Sequence, residues 1–515
     1  MASVQPEPID RVRMTEGEAS PPLEQGAKRT RPAGNATYLA AANIAGKAFS
    51  LIFVLYANRA LQPALMGSYG LVLSFVGLFG VLTDLGLSSL VVRDVATDRT
   101  RAVRYISNTL ALRTALSVVV VLLIVVAAQF AFAPAWRGSV YVFALSLIPI
   151  AMSNTLQLAF QFSERLAYSA ILNVATSAAT AGLSILVLLT GHHVLGLVTA
   201  FTVVATVSSG VVAWLVYTRF LPLRFEFDPA WWPAMVRMAL PFAVMTILNI
   251  IYNSADRQIL GWLSHCQDAA GNTGCPPVGE YSAAYRPLDI LITTFAGSMN
   301  AAVLPALIRV GATSHETLVR LIRSGSTLGL VIGVPVAVLT TFFAPETMHV
   351  FGGKNYMVAA PALATLIWAF PCVLVLILLY GGLYAVHRNG VMTVAFAVTL
   401  VFNLSLNILL IPRFSYLASA ALTVASEVLN GVIVVVALRQ SVGALGLVRP
   451  TAKMAVIAIG SSIVLWALHP FGIFVGAPVG VAVMLLGIKL TRILGSTERD
   501  VLGRLPIAGR FVQLL

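Results

Sequence analysis

The sequence predicts an all-α polytopic membrane protein of about fourteen transmembrane helices: two six-helix bundles related as parallel repeats, plus a C-terminal helix pair. Three observations predict it. Hydrophobic residues make up 58% of the chain and charged residues only 10%, against about 25% charged in soluble domains. The apolar residues come in blocks of about 18–26, each able to cross a roughly 30 Å hydrocarbon core as a helix. Finally, two short stretches six helices apart repeat one another.

The blocks lie near 37–60, 66–92, 105–131, 138–160, 168–190, 194–217, 236–262, 280–307, 322–343, 358–384, 389–411, 416–437, 452–468 and 471–489. Residues 1–34 are polar, Pro-rich and charged. They cannot bury enough apolar surface to fold, and read as a disordered cytoplasmic tail. No apolar region followed by a cleavage site is read there, so no signal peptide is expected, and Met14 offers an alternative start. Residues 35–220 are assigned to the first bundle, 221–440 to the second, 441–490 to the extra pair and 491–515 to a cytoplasmic tail.

The net charge of +13 raises nucleic acid as a partner, but its distribution argues otherwise. With the N-terminus in the cytoplasm, about 25 of the 33 Lys and Arg fall on cytoplasmic loops and tails, including Lys28, Arg29 and Arg31 before the first helix. This is the positive-inside bias that orients membrane proteins. RDVATDRTRAVR (93–104) then reads as a topology determinant, and no basic-aromatic interleaving suggests nucleic acid. Cys266 and Cys275 share HCQDAAGNTGCPP on the opposite side, where disulfides persist; they are either bonded or two loop thiols. Cys372 lies in an apolar helix and reads as packing.

The first helix ends LYANRALQPALMGSYG (55–70), and the seventh ends IYNSADRQIL and resumes at VGEYS. Ala57-Asn58-Arg59 thus matches Ala255-Asp256-Arg257, and Gly67-Ser68-Tyr69 matches Gly279-Glu280-Tyr281. TAFTV (199–203) echoes SAALTV (419–424) more weakly. An even offset of helices gives both halves the same orientation, so the expected site lies between parallel repeats.

Polar residues recur at helical spacing within the apolar blocks. Asn249, Tyr252, Asn253 and Asp256 follow i, i+3, i+4, i+7, as do Asn43, Gly46, Lys47 and Ser50, so each set shares one helix face. Lys47 lies about ten residues into its helix, about 15 Å deep. Ser282, Tyr285, Arg286, Asp289, Thr293 and Asn300 share a third face, and Thr423, Glu427 and Asn430 a fourth. A charge near a bilayer centre costs roughly 2.5–3.5 kcal/mol and usually faces protein or a water-filled path. Lys47 and Glu427, both near the midplane, are expected to line a cavity. The Asp256–Arg257 and Arg286–Asp289 pairs read either as cavity lining or as mutually neutralised pairs. Asn154, Gln157, Gln161, Asn403 and Asn407 read as interhelical hydrogen bonds, worth about 0.6 kcal/mol each. Arg113, a turn or two from the cytoplasm, reads as snorkelling, and Asp84 as a tether for the Arg93 region. The substrate-binding candidates are therefore Lys47, Asn43, Ser50, Asn253, Asp256, Arg257, Arg286 and Asp289. A net cationic chamber suits a phosphate or pyrophosphate. FGGKNY (351–356) lacks P-loop spacing, and the histidines do not fall into metal spacing; no cofactor, metal or catalysis is expected, and the chain reads as a secondary transporter.

Several segments resemble the polysaccharide flippases of the multidrug/oligosaccharidyl-lipid/polysaccharide exporter superfamily. They include MGSYGLVLSFVGLFGVLTDLGLSSLVVRDVA (66–96), AFQFSERLAYSAI (159–171), MALPFAVMTILNIIYNSADRQIL (238–260), VGEYSAAYRPLDIL (278–291), FGGKNYMVAAPALATL (351–366) and NLSLNILLIPRFSYLASAALTVASE (403–427). The resemblance implies two six-helix bundles facing in a V and alternating access. It implies carriage of undecaprenyl-pyrophosphate-linked oligosaccharide from the inner to the outer leaflet of the bacterial plasma membrane, the prenyl tail staying among membrane lipids. Dealings with a polysaccharide polymerase and export machinery, and both termini in the cytoplasm, belong to the same expectation. The cysteine-bearing insertion and the helix pair after residue 450 depart from a twelve-helix core. Two alternatives stay open: a lipid II flippase, and a cation-coupled multidrug antiporter in which Glu427 and Asp256 exchange ions.

Overall fold

The computed structural model describes residues 32–98, 101–163, 165–220, 226–264, 266, 274–311 and 313–495. The expected N-terminal tail up to residue 31, most of the cysteine loop, and the tail from 496 lie outside the described residues, as do the side chains of Asn43, Asn253 and Asn300. Among the described residues there is no strand, and seventeen α-helices follow one another. The first seven are α1 (Pro32–Gly80), α2 (Leu87–Thr97), α3 (Ala102–Ala131), α4 (Pro134–Leu145), α5 (Leu147–Phe162), α6 (Leu166–Leu189) and α7 (Val194–Arg219). Eight more are α8 (Trp232–Leu263), α9 (Pro276–Gly311), α10 (His315–Phe342), α11 (Ala344–Gly352), α12 (Ala360–Leu366), α13 (Ala369–Ala385), α14 (Asn389–Phe414) and α15 (Tyr416–Val442). The chain closes with α16 (Val448–Leu468) and α17 (Ile473–Thr491).

By length and hydropathy, 11 described helices can cross a membrane, or up to 12 if α8, bent by 41°, is one span. The expected number was about fourteen, and α1 and α9 account for the difference. α9 is not among the 11, although its 36 residues exceed the length of a crossing. α1 enters as one 40-residue span but reverses at Gln62, whose φ of 60° and ψ of 171° are not helical. Its neighbours prove the reversal. Lys47 meets Thr293 and Val54 lines a cavity with Arg286, then Pro63 touches Gly279, and Gly70 touches Ser282 further down α9 again. The second arm continues against α8, Ser74 to Gln258 and Gly86 to Ala239 and Ala243. A left-handed Gln followed by Pro63 is what turns a 49-residue helix into a hairpin, because Pro63 cannot donate a backbone hydrogen bond.

Within the first half α1 packs on α6, and α3, α4, α5 and α7 pack on one another; within the second, α13 packs on α9, α10 and α15, and α14 on α8 and α15. The halves meet where α1 lies on α8, α9 and α11, and where α2 lies on α8. α16 and α17 pack on each other and on α10. Exposed apolar faces run along the outer helices, for example Leu122 and Val126 on α3 and Val456, Ile459 and Ile463 on α16. Such faces suit lipid, whose tails are as apolar as the side chains.

The two membrane ends are built differently. At the end carrying the cysteines, one continuous core joins both halves, from Ala57, Tyr69 and Val72 through Leu260, Tyr281 and Leu363 to Ala420. Cys266 and Cys275 are bonded there, with Cα atoms 4.8 Å apart. At the opposite end the core is divided into separate clusters, and the small one uniting Leu87, Leu90 and Val91 with Met235 and Ala239 spans the seam.

Candidate functional site

The seam between the halves holds a polar chamber. Lys47, Ser50, Leu51 and Val54 of α1 and Arg286, Asp289 and Ile290 of α9 line a cavity of about 80 Å³. The i, i+3 and i+7 spacing of the α1 residues puts them on one face, and the i+3 step from Arg286 to Asp289 does the same on α9. Lys47 donates to the Thr293 hydroxyl, which itself donates to the Asp289 carbonyl at 2.6 Å. Among the described residues, neither Arg286 with Asp289 nor Asp256 with Arg257 forms an ion pair. Neither pair is in direct ionic contact, and both pairs line cavities. Adjacent residues such as Asp256 and Arg257 point about 100° apart on a helix, and the Arg257 guanidinium instead lies 5.2 Å over the Tyr285 ring.

Glycine contacts bring the two halves together at both ends of the seam. At the cysteine end a Cβ on Gly67 would lie 1.8 Å from the Cys275 carbonyl oxygen, and one on Gly279 1.9 Å from that of Pro63. The two glycines matched in the sequence, Gly67 and Gly279, thus face each other. The Cys275 amide donates to Ala64 at 2.9 Å, while Asn58 and Arg59 donate to the carbonyls of Phe351 and Val350 near the end of α11. At the other end Gly86, with φ +76°, sits against the α8 backbone; a Cβ there would be 2.7 Å from the Ala243 nitrogen. A cavity of about 80 Å³ holds a few waters, whereas ligand pockets run to about 300–1,000 Å³.

A second polar cluster lies inside the second half. Asp256, only 7% exposed, accepts from the Tyr281 hydroxyl at 3.1 Å, the Thr423 hydroxyl at 3.3 Å and the Asn407 amide at 3.1 Å. Ser419 donates to Asn407 Oδ1, and Asn403 donates to Ser426. Glu427 accepts from Tyr252 at 2.9 Å. These groups surround a void of about 20 Å³, room for roughly one water or small cation. Oxygen donors around a buried carboxylate are the chemistry of a proton or a hard cation. Among the described residues no group of three His, Cys, Asp or Glu converges for a transition metal.

The sequence candidates thus divide. Lys47, Ser50, Arg286 and Asp289 share the chamber; Asp256, Arg257 and Glu427 share the second cluster. Asn407 does make an interhelical hydrogen bond, but its partner is Asp256. Asn154 and Gln157, read as interhelical bonds, line a third cavity of about 160 Å³ with Asn173, Thr176 and Ser208. Arg113 does not snorkel: it is 3% exposed, with Nη1 3.3 Å from Asp84 and hydrogen bonds to Ser88 and Thr155. Asp84 therefore holds Arg113, while Arg93 pairs with Asp94 at 2.7 Å. Tyr281 and Thr423 were passed over as partners of Asp256; their i+4 and i+7 relations to other polar residues gave no sign of which helix they would meet.

Comparison with known proteins follows the same lines. The family model described as polysaccharide biosynthesis protein matches residues 33–311, more than half of the chain. An uncharacterized membrane protein of Methanocaldococcus jannaschii is 25% identical over 153 residues, 30% of this chain and 30% of that one, so the match spans under a third of that relative. Among solved structures, the lipid II flippase MurJ in an inward closed conformation superposes with a TM-score of 0.72 at 10% identity, over 88% of this chain and 97% of that one. An inward-facing multidrug resistance MATE family transporter gives 0.60 at 15% identity, over 78% and 95%. A transporter of the same superfamily from Pyrococcus furiosus, described as having a binding pocket of reverse polarity, gives 0.52 at 15%, over 81% and 97%. At such identities these structures share a fold. The chain belongs to the polysaccharide biosynthesis protein family, and it shares its fold with solved transporters of the multidrug/oligosaccharidyl-lipid/polysaccharide exporter superfamily.

Proposed function

We propose that the protein is a flippase carrying undecaprenyl-pyrophosphate-linked oligosaccharide from the cytoplasmic to the outer leaflet of the bacterial inner membrane by alternating access. The two halves, 35–220 and 221–440, rock about the Gly67–Gly279 contact, with both termini in the cytoplasm. The observation that carries this reading is the chamber itself: Lys47 and Arg286, one from each half, face a cavity with Asp289 as its carboxylate. When the halves part, both cations are presented to whatever enters, and a pyrophosphate takes them as charge-assisted partners. The sugar fills the polar seam while the prenyl tail remains in lipid. Asp256 and Glu427 serve as the coupling site for a proton or small cation that resets the cycle.

The drug-antiporter reading is the weaker one. It needs acidic residues where the drug sits, but Asp256 and Glu427 surround a void of about 20 Å³ inside one half, too small for an organic cation. A lipid II flippase would use the same pyrophosphate chemistry, so the phenotype separates them: loss of a glycan flippase removes one surface polymer, loss of a lipid II flippase stops wall synthesis.

The test is Lys47→Ala in a strain lacking its own flippase. Losing a charge-assisted contact costs about 1.5–3 kcal/mol, roughly 10–150-fold in affinity. Surface glycan should fall sharply at unchanged membrane protein level, with binding of the lipid-linked intermediate in detergent falling alongside, and Lys47→Arg should restore much of both. Wild-type export and binding by Lys47→Ala would overturn the assignment.

A further inference from the structure

The largest of the polar cavities described is not in the seam. It measures about 340 Å³ and lies between α10, the start of α16 and the segment following α17, at the membrane end opposite the disulfide. Five basic side chains line it: Arg320 and Arg323 from α10, Arg449 and Lys453 from α16, and Arg492. Among the described residues no acidic side chain lines it. Glu316 lies outside and holds Arg320 at 3.0 Å. Lys453 is committed as well, donating to the carbonyls of Thr491 and Arg492 at the end of α17. Among the described residues, Arg323, Arg449 and Arg492 have no carboxylate partner.

The site is built, not merely charged. Gly446, with φ +68°, brings its backbone to the Arg323 guanidinium, where a Cβ would lie 3.2 Å from Nη1. Arg492 takes a left-handed conformation, φ 46° and ψ 49°, which is unfavourable for a non-glycine residue. Ile493 and Leu494 behind it are buried against α16 and hold that turn in place. Three guanidiniums in one pocket with no carboxylate partner among the described residues repel each other, so the arrangement favours a polyanion over an empty site. Beside the pocket the membrane faces of α16 and α17 are apolar and open, with Val456 65% and Leu490 73% exposed.

A polyanionic head next to an apolar helix face is the shape of a lipid. We propose that this pocket binds the headgroup of an anionic phospholipid carrying two phosphates, drawn from the surrounding bilayer. It is a site separate from the transport chamber and independent of what that chamber carries. Basic pockets between transmembrane helices recognise such headgroups, and about 340 Å³ accommodates two phosphates and a linking glycerol. Bound there, the lipid ties α16 and α17 to α10.

The test uses the full chain purified in neutral detergent, with diphosphatidylglycerol, phosphatidylglycerol or phosphatidylcholine added and binding read by native mass spectrometry and thermal shift. Each cation near a membrane surface contributes about fivefold, so the triple variant Arg323→Gln/Arg449→Gln/Arg492→Gln should bind diphosphatidylglycerol on the order of a hundredfold more weakly. Its melting without lipid should be no lower than wild type, because the three side chains are exposed and their mutual repulsion is removed. The matching triple Arg→Lys variant should keep most of the affinity. Equal affinity of wild type for diphosphatidylglycerol and phosphatidylcholine, or of the Gln variant and wild type for diphosphatidylglycerol, would overturn the proposal. So would loss of undecaprenyl pyrophosphate binding alone in the Gln variant, which would make the pocket an entry station for substrate.

Discussion

Lys47 and Arg286 reach one cavity from opposite halves of the chain, and with Asp289 they leave it one positive charge in excess. Lys47, Arg286 and Asp289 were legible in the sequence because charges at helical spacing inside apolar runs have few other places to go. Arg113 was not. Its depth gave the distance to the interface but not the neighbour, and Asp84 and Thr155 become neighbours only through the packing of α3 on α5 and on the turn after α1. Breaking a buried ion pair by removing one partner costs about 3–5 kcal/mol; Asp84 is 23% exposed, so Asp84→Asn is expected to cost roughly 2–3 kcal/mol. Adding Arg113→Leu should recover part of it, read as a non-additive double-mutant cycle in detergent melting. Strict additivity would mean the pair is not coupled. Asp256 is the other residue whose partners were invisible. Asp256→Asn removes the charge but keeps the volume, so substrate binding should stay within about threefold while dependence of transport on the ion gradient disappears; unchanged gradient dependence would remove Asp256 from the coupling role.

At the scale of elements, hydropathy located the spans and blurred their breaks. The second block was read as continuous to residue 92, yet the helix stops at Gly80, passes through Val81–Thr83 and Gly86, and restarts as α2. The fourth breaks at Ser146 and the tenth after Leu366, and α11 was not expected at all. Averaging over a window long enough to find a span removes the one or two residues that interrupt it; Gly80, Gly86, Pro345 and Gly352 were the signals available. In the proposed cycle those breaks place the gates. Gly86→Ala adds a Cβ 2.8 Å from the Ala239 oxygen in a left-handed residue, so α2 must lift from α8. Gly279→Ala adds one 1.9 Å from the Pro63 oxygen and pushes the opposite end apart. With Ser50→Cys as reporter and Cys372→Ala removing the free thiol, Gly86→Ala should raise labelling by an impermeant thiol reagent from the α2 side, and Gly279→Ala from the disulfide side. Equal labelling of both variants from one side would contradict this placement of the gates.

The whole molecule is asymmetric between its ends. One core spans both halves at the disulfide end, whereas at the other end the small cluster around Leu90 and Ala239 spans the seam. Since apolar burial contributes about 25 cal/mol per Å², the end with less of it opens first, and the resting protein should admit substrate from the side of α2. The match of Gly67-Ser68-Tyr69 with Gly279-Glu280-Tyr281 falls at equivalent helix ends, and in the structure Gly67 meets Gly279. The direction of opening was not readable, because it depends on how much core crosses the seam.

The central claim, that the seam carries a lipid pyrophosphate across the membrane, is tested most directly with purified protein in phospholipid vesicles. Fluorescent undecaprenyl-pyrophosphate-linked oligosaccharide is placed in one leaflet, and its arrival in the other is read with an impermeant quencher. The account predicts protein-dependent transfer that falls at least about tenfold with Lys47→Ala and is preserved with Lys47→Arg. Transfer no faster than in protein-free vesicles, or equally fast for an uncharged lipid-linked sugar, would contradict it.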